Sequence, residues 1–421
     1  MKQILDERWF ERFCVASKES LRSEWLPNSA KITESEKELF LNNEIENPRF
    51  SPRKATTNEL SGQKLEELLD EIRMHEKDAI VLDLYERKLK NQLRRKQLIR
   101  ASLGKNDTAF YESSAAVYGK PRKKYFAYVA KRVTELAATN EKIFPRQAKR
   151  LRRLMAKIDV KDVDISADIL PPVVTGKKPV TTMDEVLSIF NATLQRLEIE
   201  GWALATDATE TRKRFAVNAF RKIVYLPSAT FLLSPTKTVT DVQIEALAEH
   251  EIGVHARRAY EGSQSGLLLL QTGLDSYLVG EEGLAGYVQQ QIEGATEFYG
   301  FDRYLAASLA VGMDGIQRDF RAVFSLMVDY YTLQNEESVH SNNTAIHSAW
   351  SVCERIFRGT TGLTAGTIFS KDVVYMEGNI DLWHLISENP SRFESLFLGK
   401  FNPINKRHVR SLQTLGILKE W

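Results

Sequence analysis

The side chains best suited to chemistry in this chain are His250, Glu251 and His255, which lie within the string His-Glu-Ile-Gly-Val-His. Two neutral imidazoles can bind Zn²⁺, and a carboxylate beside the first can take a proton from a metal-activated water molecule. The pattern therefore predicts a metal-dependent hydrolase, with His250 and His255 as ligands and Glu251 as general base. In the competing interpretation, both histidines are ordinary polar residues on a helix surface.

The spacing of the two histidines poses a geometric problem. Four residues separate them, whereas three separate the histidines of the common His-Glu-x-x-His pattern. Residues five apart on a regular α-helix differ by about 140° around its axis, so His250 and His255 could not face one metal ion. Either the helix ends between them, or it contains a π-type turn, whose natural spacing is five. Gly253 lies inside the motif and lowers the cost of either solution.

A catalytic zinc site usually has three protein ligands, so a further carboxylate or histidine is needed. The stretch Glu281-Glu-Gly-Leu-Ala285 follows Gly280 and predicts the start of a new helix. A carboxylate in the first turn of such a helix can point toward the motif helix. We expect Glu282 to be the third ligand, with Glu281 as the alternative.

Two helix starts and three short strands are predicted around the motif. Thr182 with Glu185, and Thr240 with Gln243, form capping boxes, and the second one begins the helix that carries the histidines. Three segments rich in aromatic or β-branched residues lie between them and predict strands: 202–206, 215–219 and 222–226. We therefore expect an α+β fold, mostly α, in which a small antiparallel sheet lies beside the active-site helix, as in zincin-like peptidases.

The first part of the chain predicts helices with several basic stretches. Residues 1–170 are expected to form a helical N-terminal region, and residues 171–421 the catalytic domain, with Pro171-Pro172 and Gly176–Pro179 between them. One helix carries five cations: Arg146, Lys149, Arg150, Arg152 and Arg153. Such helices can bind an acidic tail, a membrane surface or nucleic acid. Acidic neighbours such as Glu66 and Glu135 favour ordinary solvated helix faces, which is our expectation.

Composition excludes several classes of protein. The 421 residues are 43% hydrophobic and 27% charged, as in ordinary globular proteins, and a net charge of +2 gives no global field that would attract nucleic acid. Two cysteines argue against a disulfide scaffold and a thiolate zinc site, and favour a reducing, cytoplasmic location. The sequence shows neither a signal peptide nor an apolar run long enough to span a membrane.

Several separated segments, in the same order, resemble the tyrosine carboxypeptidase family. This family includes the microtubule-associated tyrosine carboxypeptidase and bacterial proteins named for a Gln-Glu-Gly-Leu-Ala motif. The resemblance covers roughly residues 180–400 and rests on these segments: Phe215–Asn218, Ile223–Pro227, Glu249–Arg258, Glu281–Ala285, Arg355–Gly359 and Phe369–Gly378.

The resemblance implies a zinc metallocarboxypeptidase that removes a C-terminal residue, tyrosine in the microtubule-associated member, from a protein or peptide. It makes His250, His255 and Glu282 the zinc ligands and Glu251 the general base that activates the zinc-bound water. Glu281 stands where the bacterial motif has Gln, a departure outside the inferred ligands. Two alternatives stay open: a non-catalytic regulatory or binding protein on the same scaffold, and an endopeptidase. The sequence implies neither the physiological substrate nor the oligomeric state.

A carboxypeptidase must bind the free α-carboxylate of its substrate. Arginine suits this task because its planar fork binds a carboxylate through two hydrogen bonds. The candidates are Arg355, Arg358 and Lys371, with Tyr375 as a donor to the substrate or to a developing oxyanion. Each could instead be a surface residue or a member of a salt bridge. Arg258 is expected to contact the metal-binding carboxylates.

Overall fold

The computed structural model describes residues 4–23, 32–50, 61–161, 163–174, 178–206, 212–233, 238–334, 341–419 and 421. Helices dominate this part of the chain, and a small three-stranded sheet accompanies them. The predicted α+β, mostly α class is confirmed. Among the described residues, none of the helices is both long enough and apolar enough to cross a membrane.

The N-terminal region is helical, as predicted. Each apolar face is buried against its neighbours; on one helix that face consists of Leu65, Leu68, Leu69 and Ile72. The helices of this region are α1 (Glu7–Ser23), α2 (Glu34–Leu41), α3 (Gln63–His75), α4 (Ala79–Leu103), α5 (Asp107–Tyr118), α6 (Lys123–Thr139) and α7 (Pro145–Met155), followed by a 3₁₀-helix (Ala167–Ile169).

Both predicted capping boxes begin helices. The side chain of Thr182 accepts a hydrogen bond from the backbone of Glu185, and Thr240 does the same for Gln243. These residues cap α8 and α10 and therefore fix where the motif helix starts. The elements of this region are α8 (Met183–Arg196), β1 (Ala203–Ala205), β2 (Ala216–Asn218), β3 (Ile223–Tyr225), α9 (Ala229–Leu232), α10 (Asp241–Ala248) and a π-helix (Glu249–Ala256).

The three predicted strands are confirmed, but the prediction that the sheet is antiparallel is wrong for one pair of strands. The strand order is β1-β3-β2, with β3 parallel to β1 and antiparallel to β2. A tight turn joins β2 to β3, where the side chain of Asn218 accepts hydrogen bonds from two backbone N–H groups and Lys222 has a φ of 53°. This turn sets the antiparallel pair. β1 instead pairs with β3, since Ala203 lies opposite Ile223, 20 residues further along the chain, and a two-residue hairpin cannot set such a parallel pair.

Helices account for the rest of the chain. The sheet packs against the π-helix through a cluster that includes Val224, Ile252 and Ala256. The remaining elements are α11 (Arg257–Ser263), α12 (Leu269–Thr272), α13 (Leu278–Glu293), α14 (Phe301–Ala310), α15 (Phe320–Gln334), α16 (Ser341–Phe357), α17 (Val373–Glu388) and α18 (Lys406–Thr414), with 3₁₀-helices at Ser370–Asp372, Pro390–Arg392 and Glu394–Phe397.

The N-terminal helices pack directly on the C-terminal ones. One cluster joins residues of α6 and α7 to α13–α17, and a second joins α1, α3 and α4 to α12 and α18. The stretch predicted as a linker is also attached, because Ala295 donates a backbone hydrogen bond to Pro171 and Val174 donates one to Glu293. Gly176 lies outside the described residues. The boundary between residues 170 and 171 stays a prediction.

Candidate metal centre

The spacing problem in the histidine motif is solved by a π-helix. Residues Glu249–Ala256 form one, continuous with α10 before it and α11 after it. The rings of His250 and His255 therefore lie on the same side, with their centroids 5.0 Å apart. The predicted π-type turn is confirmed, and the alternative, a helix that ends between the histidines, is wrong.

Three predicted ligands converge from two helices. His250, His255 and Glu282 each offer one ligand atom, and these atoms lie within 4.8 Å of one another. His255 Nε2 and Glu282 Oε2 are 3.9 Å apart. Tetrahedral ligands at zinc bond lengths lie about 3.4 Å apart, so the group would contract by roughly 0.5–1.4 Å around an ion. The donor set and its geometry thus fit zinc.

Glu281, the other acidic residue of the Glu281-Glu282 pair, has a different position. Helix α13 begins at Leu278, so the pair lies at the end of its first turn. Glu281 Oε1 accepts hydrogen bonds from His255 Nδ1 at 2.9 Å and Lys400 Nζ at 2.6 Å, and its Oε2 accepts one from Arg258 at 2.6 Å. Glu281 therefore lies outside the converging group. It orients the ring of His255, so that Nε2 of His255 faces Glu282.

His250 is oriented in a similar way by a residue that sequence reasoning missed. Its Nδ1 lies 2.9 Å from Gln289 Oε1, which must accept, and Gln289 Nε2 donates to Glu293 at 2.8 Å. Nε2 of His250 is thus the nitrogen available to a metal. A signal for Gln289 did exist: it follows Glu282 by seven residues, two helical turns, and so shares its face of α13.

Burial and neighbouring charges adjust the protonation of the centre. Burial, together with the nearby His255, lowers the pKa of His250 to about 3, so that this imidazole is neutral at pH 7. Burial raises the pKa of Glu251 to about 7, and the Glu282 carboxylate adds to that increase. Burial opposes the charge on Glu281, but Lys400 and Arg258 outweigh it and hold its pKa well below the usual range.

The two arginines that are predicted to bind the substrate share one carboxylate. Arg355 Nε lies 2.5 Å from Asp372 Oδ1, and Arg358 Nη1 lies 2.8 Å from Asp372 Oδ2. The Arg355 side chain is 23% exposed, whereas that of Arg358 is 3% exposed and also donates to the Arg355 carbonyl. Arg358 is therefore enclosed behind Asp372. A substrate-binding role for these two residues stays a prediction.

The other two predicted residues, Lys371 and Tyr375, lie one turn apart near Glu282, one of the predicted metal ligands. The negative charge of the nearby Glu282 carboxylate contributes an increase to the pKa of both side chains. Burial lowers the pKa of Lys371 and raises that of Tyr375. Within the described ranges, neither the Lys371 ammonium nor the Tyr375 hydroxyl has a hydrogen-bond partner. Both donors are thus available next to Glu282.

Comparison with known proteins identifies a family for this chain. Residues 212–420 match the model of the family described as "Microtubule-associated tyrosine carboxypeptidase". The chain belongs to this family. The match contains the three converging residues and begins after α8, and membership assigns the chain to the carboxypeptidases, a class of hydrolases. No curated protein matches the chain.

One further cation, Arg303, lies near the histidines, and sequence reasoning missed it. The Arg303 guanidinium lies 4.9 Å from the ring centroid of Tyr375 and 5.4 Å from that of Tyr299. Its nearest carboxylate oxygens, on Asp372 and Asp302, are 3.8 and 4.0 Å away, too far for hydrogen bonds. Nothing in the local sequence distinguishes Arg303 from the other arginines of the chain.

Proposed function

We propose that this protein is a zinc-dependent metallocarboxypeptidase that removes the C-terminal residue, tyrosine by family resemblance, from a protein or peptide. The observation that carries the proposal is the convergence of His250, His255 and Glu282, with Glu251 within reach of the charges of His255 and Glu282. Two imidazole nitrogens and one carboxylate oxygen are the ligand set of catalytic zinc sites that keep a position open. Gln289 and Glu281 support this reading, because each occupies Nδ1 of one histidine and leaves Nε2 for the metal.

The residues around the ligands have the properties that peptide hydrolysis requires. Zinc bound here would make a water molecule more acidic and polarise the carbonyl of the scissile bond. Glu251, with a pKa of about 7, can accept the proton of the attacking water and then donate it to the leaving amine at neutral pH. Lys371 and Tyr375 have free donors beside Glu282 and can hydrogen-bond the substrate oxygen on which negative charge develops.

The cations near the centre support recognition of a free C-terminus. Arg303, Arg355, Arg358 and Lys371 surround one buried carboxylate, Asp372, so this cluster keeps a positive charge. The negative charge of a substrate α-carboxylate would offset this positive charge. Arg303 is the best candidate to bind that group, because no carboxylate oxygen of the described residues lies within hydrogen-bond distance of its guanidinium. The neighbouring rings of Tyr299 and Tyr375 offer faces to an aromatic terminal side chain.

Hydrolysis of paired peptides tests the proposal. Peptides that end in tyrosine, with a free or an amidated C-terminus, are incubated with the zinc-loaded protein and analysed by mass spectrometry. We expect tyrosine release from the free acid alone, and its loss on addition of a chelator. Glu251→Gln should keep its zinc and lose activity by about 10²–10⁴-fold. Glu245→Gln, the same change at an exposed position on α10, is the matched control and should remain active.

Each alternative has its own outcome. The metal mechanism would be contradicted if the purified protein holds no zinc and its activity is unchanged by chelators. Absence of any hydrolysis in zinc-bound protein would favour a non-catalytic binding or regulatory protein. Equal cleavage of both peptides would indicate an endopeptidase. A cytoplasmic location belongs to the same proposal and is supported by Cys14 and Cys353, which are both free thiols.

A further inference from the structure

A basic groove lies outside the metal centre, between α7 and the start of α15. It has a volume of about 610 Å³ and contains none of the metal-centre residues. Six cations line it: Arg146, Lys149, Arg150, Arg153, Lys157 and Arg318. The sequence predicted solvated faces for the basic helices, and the α7 cations are indeed exposed; the structure adds that they line a concave surface.

Most of the positive charge in this groove is uncompensated. Arg150 pairs with Asp329 at 2.8 Å, and Arg318 pairs with Asp314 at 2.6 Å. The other four cations have no ion-pair partner in the described part of the chain. Asp329 is the acidic group that faces them; burial raises its pKa, while Arg150 and Arg146 oppose the increase. The groove therefore favours an anionic ligand.

The cations form a row along one wall. Arg146, Lys149 and Arg153 recur at intervals of three and four residues on one face of α7, and Lys157 continues the row just past the helix end. A helical rise of 1.5 Å per residue gives about 5–6 Å between successive cations and roughly 16 Å for the row. This is the shape of a linear site.

The opposite wall of the groove, formed by α15, is apolar beyond Arg318. It includes Ala322 and Leu326, and Leu154 of α7 is a third apolar residue of the lining. In an extended peptide, alternate side chains point to opposite sides and recur about every 6.7 Å. Carboxylates at every second position would thus face successive cations while the residues between them face the apolar wall. About five residues would span the row.

We propose that this groove binds an extended acidic segment of a protein in which acidic and apolar residues alternate. The row of free cations supplies the charge complementarity, and the apolar wall selects the alternation. Single-stranded nucleic acid is less suited, because the residues that line the groove include no aromatic ring for base stacking. A flat membrane surface would not enter a concave site.

Peptide binding to the full-length protein tests the proposal. Fluorescence anisotropy is measured with an amidated hexapeptide of alternating Glu and Leu, with its isomer in which the same residues form two blocks, and with single-stranded DNA. The amidated end keeps the measurement independent of the proposed hydrolysis. We expect the alternating peptide to bind most tightly and to weaken as ionic strength rises.

A matched pair of variants locates the site. Lys149→Glu with Arg153→Glu should weaken binding of the alternating peptide by about tenfold or more. Lys406→Glu with Arg410→Glu makes the same charge change on exposed cations of α18, which packs in a different core cluster, and should leave binding within about twofold. Thermal melting confirms that both variants are folded.

Three results would overturn the proposal. The groove variant could bind the peptide as tightly as the wild type. The block isomer could bind as well as the alternating peptide, which would remove the role of the apolar wall. The DNA could bind more tightly than either peptide and lose its affinity in the groove variant, which would make the groove a nucleic-acid site. None of these results bears on hydrolysis at the metal centre.

Discussion

The buried charges around Glu281 predict a specific order of stabilities. The Arg258 side chain is fully buried, and Lys400 and Glu281 are 7% and 2% exposed. Two cations therefore share one carboxylate. Glu281→Gln preserves the shape of the side chain but leaves both cations without a negative partner. Removing one member of a buried ion pair costs about 3–5 kcal/mol, a large part of the 5–15 kcal/mol that stabilises a typical protein.

Lys400→Met changes the same cluster in the opposite sense. It leaves Glu281 paired with Arg258 at 2.6 Å, so the buried charges balance. The loss is then mainly one hydrogen bond to a charged group, about 1.5–3 kcal/mol at most, partly offset because no ammonium has to be desolvated. We therefore expect Glu281→Gln to be the less stable variant by about 1–3 kcal/mol.

Urea unfolding of chelator-treated proteins, followed by circular dichroism, measures this order without a contribution from metal binding. Glu245→Gln is the control for the chemical change and should lie within about 0.5 kcal/mol of the wild type, because its side chain is exposed. A Glu281→Gln protein as stable as Lys400→Met, or more stable, would refute the reasoning that the carboxylate neutralises two buried cations.

Gly283→Ala should lower the melting temperature and weaken zinc binding, because a Cβ there would overlap the backbone of Gly378 on α17; overpacking of this kind costs about 1–3 kcal/mol. Free zinc at a hundred times its Kd should stabilise the wild type by about 2.7 kcal/mol, and calorimetry should show no such gain for His250→Ala. The pKa of Asp372 lies below its unfolded value, because its two arginine partners outweigh burial. Its stabilisation should be complete above about pH 5 and decline as the pH falls below about 4, so urea unfolding should show the gap between wild type and Asp372→Asn narrowing in acid.

The parts of the site that depend on local chain geometry could be predicted from the sequence. Capping residues Thr182 and Thr240 use hydrogen bonds that span only three residues, so their pattern is visible in the string. The spacing of His250 and His255 left two backbone solutions, and Gly253 was compatible with both. Choosing between them required the contacts of the π-helix with α13 and the sheet.

The parts that depend on distant contacts could not be predicted. Lys400 is 119 residues away from Glu281 in sequence, and no local pattern links the two. The enclosure of Arg358 follows from its ion pair with Asp372, which sequence alone does not reveal. The direction of β1 was missed for a similar reason, since its parallel partner residue for Ala203 is Ile223, 20 residues further along the chain. The basic groove also needed structure, because its apolar wall comes from α15.

The π-helix can be regarded as an α-helix with one surplus residue, since such bulges arise by inserting a residue into a regular turn. Without that residue, His250 would precede the second histidine by four positions and Arg258 by seven, and both offsets fall within about 40° of His250 around a regular helix. The flanks α10 and α11 therefore keep the phase of an uninterrupted helix. Excising one residue between Ile252 and Val254 would straighten this segment into the common His-Glu-x-x-His form while both flanks stay in place.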